Sequence, residues 1–266
     1  MERERTGMAS EGRAGGSRVS VWLAAKPRRK TEGESTLDLE RIVATTVRML
    51  DTEGLAKFSM RRLAAELGVT AMSIYWYVDT KDDLLELALD QVSAEFVLPD
   101  PADETVDWHE QLRDLAVQYR RILVAHPWVS RLLGQYLNMG PHALALSEAT
   151  LAVMRRSGVP PHAMTGAISA LFQFVYGFAS VEGMYAERCR AQGLTEDEYY
   201  QHVVETFTSR VEFTDRYQEA TELVETRTAE HGSVREMWER DFSVALDTVI
   251  AGIEVMRDRS RGATRS

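Results

Sequence analysis

Apolar residues along this chain fall almost everywhere at helical spacing. From Leu37 the punctuation is clear: Asp38 is suited to cap a helix N-terminus, and Leu37 and Ile42 stand where a hydrophobic staple would pin the entry. Leu39, Ile42, Val43, Val47 and Leu50 continue one face, and Gly54 offers a positive-φ stop. Ser59 then opens a short second helix in which Met60, Leu63, Ala64 and Leu67 recur at i, i+3, i+4 and i+7. That spacing turns Arg61, Arg62 and Ala65 outward. Gly68 ends it and Thr70 caps a third helix, with Ile74 and Val78 inward and Tyr75 and Tyr77 outward. Trp76 is expected to pack against a neighbouring helix in preference to reaching a base. Thr80 and Asp83 resemble a capping box for a fourth helix from Lys81 to about Val97.

Past the Leu98-Pro99-Asp100-Pro101 break the pattern predicts further helices over 105–125, 128–138, 142–157, 161–189, 196–212, 216–231 and 234–258. No strand-like alternation and no internal repeat interrupts it. The expected fold is all-α, a three-helix N-terminal domain followed by a larger helical domain. Expected boundaries are a flexible basic arm over 1–36, the helix-turn-helix domain with its connecting helix over 37–97, a larger helical domain over 98–258, and a flexible tail over 259–266.

Composition changes the picture in one respect. The net charge of −10 over 266 residues argues against a nucleic-acid partner, but it is unevenly spread. Residues 1–80 carry 13 basic against 11 acidic residues, so the acidity lies in the remainder, and phosphate binding depends on the local face. Residues 1–36 are rich in Gly, Ser, Arg and Glu and lack an apolar secretory run, which predicts disorder in isolation. Within them Arg28, Arg29 and Lys30 form a basic run that is either a plain tail or an arm for the minor groove, while the apolar knot Val19, Val21, Trp22 and Leu23 has no evident purpose beyond docking onto the body. The lone Cys189 forbids an internal disulfide, favours a structural thiol over a redox sensor, and fits a reducing cytoplasm. No apolar stretch is expected to reach the roughly 18 residues of a membrane span; the longest, 163–181, is broken by Thr165, Gly166, Ser169, Gln173 and Gly177.

Two close helices around a tight turn need a small residue at their crossing and an aliphatic anchor in the second helix. Ala64, Gly68 and Ile74 supply these. A helix–glycine–helix pattern alone is weak, but its outward face carries Arg61, Arg62, Ser73, Tyr75, Tyr77 and Lys81, hydroxyls and cations suited to phosphate oxygens and guanine edges. The run from Phe58 to Lys81, FSMRRLAAELGVTAMSIYWYVDTK, resembles the DNA-binding motif of the TetR (tetracycline-repressor) family, and Ile42-Val43 through Asp-Thr-Glu-Gly54-Leu55 is similar to that family's first helix. The resemblance covers roughly 37–97. It implies a homodimeric repressor on a palindromic operator, released by a small ligand held in the C-terminal domain. It places Arg61, Ala71, Met72, Ser73, Tyr75 and Tyr77 toward DNA and Lys81 on a phosphate; Ala71 and Met72 could make only apolar contacts, for instance with thymine methyls.

For the ligand the sequence offers Trp128, Leu132, Tyr136, Met139, His142, Gln173, Tyr176 and Met184, although each taken singly is better read as ordinary core. Family logic puts the dimer on two late helices, with Phe174, Phe178, Val181, Phe242, Leu246, Val249, Ile250 and Ile253 as candidates. No metal-ligand spacing, phosphate loop or nucleophile elbow is found. His109-Glu110 and Glu196-Asp197-Glu198 read as solvated faces, so neither an enzyme, a cofactor nor a metal is expected. The competing reading is an all-α interaction module whose head binds protein; it predicts no salt-sensitive DNA affinity.

Overall fold

A computed structural model describes residues 20–23, 37–100, 103, 105–210, 216–229 and 232–263. The candidate arm residues Arg28, Arg29 and Lys30, and Val19, lie outside the described residues. Among those described, every regular element is helical. The head comprises α1 (Leu39–Glu53), a 3₁₀ turn (Leu55–Lys57), α2 (Met60–Leu67) and α3 (Ala71–Tyr75), and α4 (Lys81–Ser93) joins it to the body. The body holds α5 (Trp108–Ala125), α6 (Pro127–Leu132), α7 (Pro141–Ser157), α8 (Pro161–Gln192), α9 (Glu196–Thr208), α10 (Gln218–Ala229) and α11 (Val234–Ala263). α11 runs past the expected stop at 258.

Local chemistry explains the starts. Asp38, Ser59, Thr70 and Thr80 each cap their helix by accepting a backbone N–H, and Thr80 with Asp83 completes a capping box. Such caps satisfy donors the helix cannot satisfy itself. Gly68 ends α2 in the left-handed region at φ 70°, letting Val69 N–H reach back to the Ala64 carbonyl at 2.9 Å; a side chain there would be strained.

Two apolar clusters organise the molecule. The first is the head core, Ile42, Leu50, Leu63, Ala64, Ile74 and Val78, and it continues without a break through α4 into Leu123, Trp128, Val129 and Leu132 of the body. The second lies within the body and gathers Leu112, Met154, Leu171, Val175, Phe242 and Leu246 from α5, α7, α8 and α11. Residue 97 is therefore no break in the packing: head and body share one core.

α4 carries three carboxylates one turn apart, each engaged with a different segment. Asp82 accepts the Tyr136 hydroxyl at 2.9 Å. Glu86, buried, accepts the Ser20 hydroxyl and the Val21 N–H, the latter at 3.2 Å. Asp90, also buried, accepts the His142 and Ala143 N–H groups at 3.0 and 3.1 Å at the start of α7, as well as His142 Nδ1 at 2.9 Å. The Ser20–Leu23 segment is thus docked: Ser20 is 2 % exposed, and Val21 and Trp22 pack on the first cluster. The expectation of a wholly flexible 1–36 is corrected at these four residues.

One more expectation needs correction. α8, at 32 residues, is long and apolar enough by length and composition to cross a membrane, and only 22 % of its most apolar window is buried. Leu171, Val175 and Ala179 bind it into the body against α5, α7 and α11, while much of its remaining apolar surface faces outward.

Candidate DNA-binding face and ligand cavity

On α2 and α3 the candidate DNA-face residues divide by what already holds them. Arg61 is exposed and has no hydrogen bond or ion pair among the described residues. Met72 and Tyr75 are exposed beside it, with Ala71 and Ser73 half-buried; Ser73 shares a hydroxyl contact of 2.9 Å with Thr70. Arg62 faces solvent but is bound within the chain, at 2.6 Å to Glu53 and 3.3 Å to the Lys57 carbonyl. Lys81 donates to the Phe58 carbonyl at 3.2 Å and lies over the Phe58 ring, 5.4 Å from its centroid. An ammonium has three donors, so a phosphate can still be held there.

Two aromatic expectations change. Tyr77 does not point away: it is half-buried, packs on the head core, and donates its hydroxyl to the Leu37 carbonyl at 2.6 Å. Trp76, expected to pack, is 69 % exposed. α3 ends at Tyr75 with Trp76 at its C-cap, so no helix face is assigned to Trp76, whereas Tyr77, three residues after the anchor Ile74, falls on the same inward side as Ile74 and Val78. The sequence reading missed Trp76 as a surface aromatic; the signal available was the shortness of a helix capped at Thr70.

In the body, the eight candidate ligand residues do not converge. Tyr176 and Met184 line a cavity of about 360 Å³ between the end of α5, α6 and α8, with Pro127, Ser130, Ser180 and Glu187. Tyr176 donates to the Ser130 carbonyl at 2.7 Å, Arg131 pairs with Glu187 at 2.8 Å, and the buried Ser180 hydroxyl has no partner among the described residues. Trp128 and Leu132 are instead fully buried core, Trp128 donating its indole N–H to Asp51 at 2.7 Å. Tyr136 and His142 are tied to Asp82 and Asp90. Burial, reinforced by the Asp82 carboxylate, pushes the Tyr136 hydroxyl up to about 12, which keeps it a neutral donor. Gln173 is exposed, and Met139, half-buried, lines neither this cavity nor a second of about 340 Å³ between α7 and α8, bounded by Ala143, Thr150, Ile168 and Phe172.

The interface candidates divide as well. Phe242, Leu246, Ile250 and Ile253 are buried inside their own chain and cannot form a surface. Phe174 stacks on Phe242 at 5.5 Å between centroids, and Phe178 meets Phe242 and Trp238 edge-on. Over them lies the Arg120 guanidinium, 4.7 Å from the Phe242 centroid and forked onto Glu182 at 2.7 and 2.8 Å. Val181 is exposed, and Phe174 and Val249 are half-buried along an open groove with Val244, Ala245 and Thr248.

The acidic and histidine motifs make contacts within the chain: Glu198 closes the α9 capping box, Asp197 accepts the Val234 N–H at 2.6 Å, and His109 contacts Glu254 at 2.7 Å.

Residues 42–88 match the model described as bacterial regulatory proteins, tetR family, and residues 100–257 match the tetracyclin repressor-like, C-terminal domain. An HTH-type transcriptional regulator of Saccharopolyspora erythraea is 34 % identical over 182 residues, covering 68 % of this chain and 74 % of that protein. The HTH-type transcriptional repressor DrrR1 of Streptomyces coeruleorubidus is 30 % identical over 241 residues, 88 % of this chain and 84 % of that one. The Streptomyces coelicolor TetR family protein ActR, solved in complex with actinorhodin, superposes with a TM-score of 0.66 at 27 % identity over 82 % of this chain and 97 % of its own. The matches to both halves, the first of them over the three-helix head, place this chain in the tetR family of bacterial regulatory proteins, as a helix-turn-helix transcriptional regulator.

Proposed function

We propose that this chain is a repressor that binds a palindromic operator as a homodimer and leaves it when a bulky, largely apolar molecule enters the body. The observation that carries the DNA half is the exposed Arg61, its side chain unpaired among the described residues, together with the exposed Met72, Tyr75 and Trp76 on a helix pair locked into the core by Leu63, Ala64 and Ile74. A cation free of internal partners can bridge guanine O6 and N7 or neutralise phosphate, whereas Arg62 must first give up Glu53. Ser73 and Lys81 serve as positioning contacts, and the basic run 28–30 is offered as a second, minor-groove reader because Ala71 and Met72 supply so little polar readout.

The ligand half rests on the α5–α6–α8 cavity. Its size falls within the range of small-molecule sites, and the Ser180 hydroxyl, without a partner among the described residues, adds a group that can orient a ligand beside Tyr176 and the Arg131–Glu187 pair. The likeness to ActR, solved with actinorhodin, supports a ligand of that kind. For the dimer, the outward apolar surface of α8 and the exposed Val181 and Val244 supply a face that a two-fold copy would cover. Two recognition helices would then meet successive major grooves on one side of the duplex, about 34 Å apart, in the cytoplasm where that DNA lies. The ligand acts only so far as it favours a dimer that misses this spacing.

The test is to select a duplex from a random library with the full chain and footprint it. Arg61→Ala should lose protection, with an affinity loss of about tenfold or more, while the dimer persists. A normal footprint from Arg61→Ala would sink the assignment.

A further inference from the structure

His126 ends α5 and precedes Pro127, the first residue of α6. The residue is 8 % exposed, yet both ring nitrogens face carboxylates: Nδ1 lies 2.7 Å from Asp51 Oδ1 and Nε2 lies 3.2 Å from Glu95 Oε1. The same Asp51 oxygen accepts the Trp128 indole N–H at 2.7 Å. Asp51 belongs to the last turns of α1 in the head, Glu95 follows α4, and Trp128 is on α6. One imidazole therefore joins the head, the connecting helix and the body. Its sequence neighbours are walls of the cavity: Leu123 a turn before it, Pro127 directly after it, then Ser130.

We propose that His126 is the positioning residue through which the body cavity bears on the DNA-binding head: gripped by Asp51 and Glu95, it holds the end of α1 against the α5–α6 joint, and a molecule that displaces Pro127 loosens that grip. The inference rests on the DNA-binding and ligand readings above and adds the route between them.

An imidazole with an acceptor at each nitrogen needs a proton on each, so the grip is complete only in the cationic form. Burial opposes that charge, but the hydrogen bond and charge of Asp51, together with Glu95, outweigh it and raise the histidine above its ordinary value. Asp51 and Glu95 are the charged groups facing the ring. The sign follows from the raised value. The grip is fully present below the ordinary histidine pKa and is lost as pH rises through the raised one.

The experiment uses the full, ligand-free chain and compares hydrogen-exchange protection factors of the Leu50–Gly54 amides between about pH 6 and about pH 8.5. Wild-type protection should fall by about fivefold over that range, and His126→Gln should stay flat. Asp51→Asn, which keeps an acceptor for Trp128 but loses the charge, should also be flat; it decides the matter if His126→Gln fails to fold. Affinity for the selected duplex should fall over the same pH range in the wild type and not in His126→Gln. Wild-type protection without pH dependence, or the same dependence in His126→Gln, overturns the proposal. Failure of the wild type to bind any duplex would overturn the DNA reading alone, because the exchange measurement needs no DNA.

Discussion

Trp76 is the C-cap of a very short recognition helix, where the chain is already turning away. Its indole has no core to enter and stands at 69 % exposure beside Tyr75. Trp76→Ala should therefore leave the melting temperature within about 2 °C of wild type, as surface substitutions usually do, while weakening affinity for the selected duplex; unchanged affinity would remove it from the DNA face. Tyr77 behaves in the opposite way. Its hydroxyl holds the Leu37 carbonyl at the entrance to α1, so Tyr77→Phe should cost about 1 kcal/mol in denaturant unfolding. The caps at Asp38, Ser59, Thr70 and Thr80 were legible because each depends on residues two or three positions away. Trp76 was misassigned because periodicity was carried past the end of α3 at Tyr75, and Tyr77 because its i+3 spacing from Ile74, which turns it inward, was overlooked.

Among the elements, α4 is the one whose attachments are most densely specified. Asp90 is buried and surrounded by the backbone donors that open α7, and Gly140 lies so close that a Cβ there would stand 2.1 Å from Asp90 Oδ1. The backbone of Gly140 is unstrained at φ −70°, so the requirement is space and not conformation. Gly140→Ala should force Asp90 out of its donors and destabilise the fold by about 2–3 kcal/mol, read as a lower denaturation midpoint with unchanged slope. None of this was visible in the sequence, where Asp90 is one acid on a helix and His142 one histidine after a proline. The pairing spans 52 residues, and only the folded chain brings it together. The scattering of the eight ligand candidates has the same cause, since aromatic composition does not say which ring lines a space and which fills it.

For the molecule as a whole, the decisive property is that one apolar core runs from head to body while the outer faces of α8 and α11 remain uncovered. Both helices carry broad apolar stripes in the sequence. Which side meets the chain itself could not be read from a stripe that wide, so Phe242, Leu246, Ile250 and Ile253 were placed on a surface they do not reach. The exposed positions make the better test. Val181→Glu with Val244→Glu should convert a dimer to a monomer by light scattering and keep the helical spectrum, because neither residue contributes to the interior; a dimer surviving both charges would move the interface elsewhere.

The short segment that Ser20 and Val21 anchor on Glu86 has a consequence for how the protein can be trimmed. A chain shortened to the start of α1 would look harmless, since every helix would survive. It would nevertheless strip a buried carboxylate of its Ser20 and Val21 donors and uncover the apolar ground beneath Trp22. Trimming thus confuses two losses, that of the proposed charged reader and that of a plug. The contribution of Arg28, Arg29 and Lys30 can be weighed only by neutralising them in place, with the plug left seated.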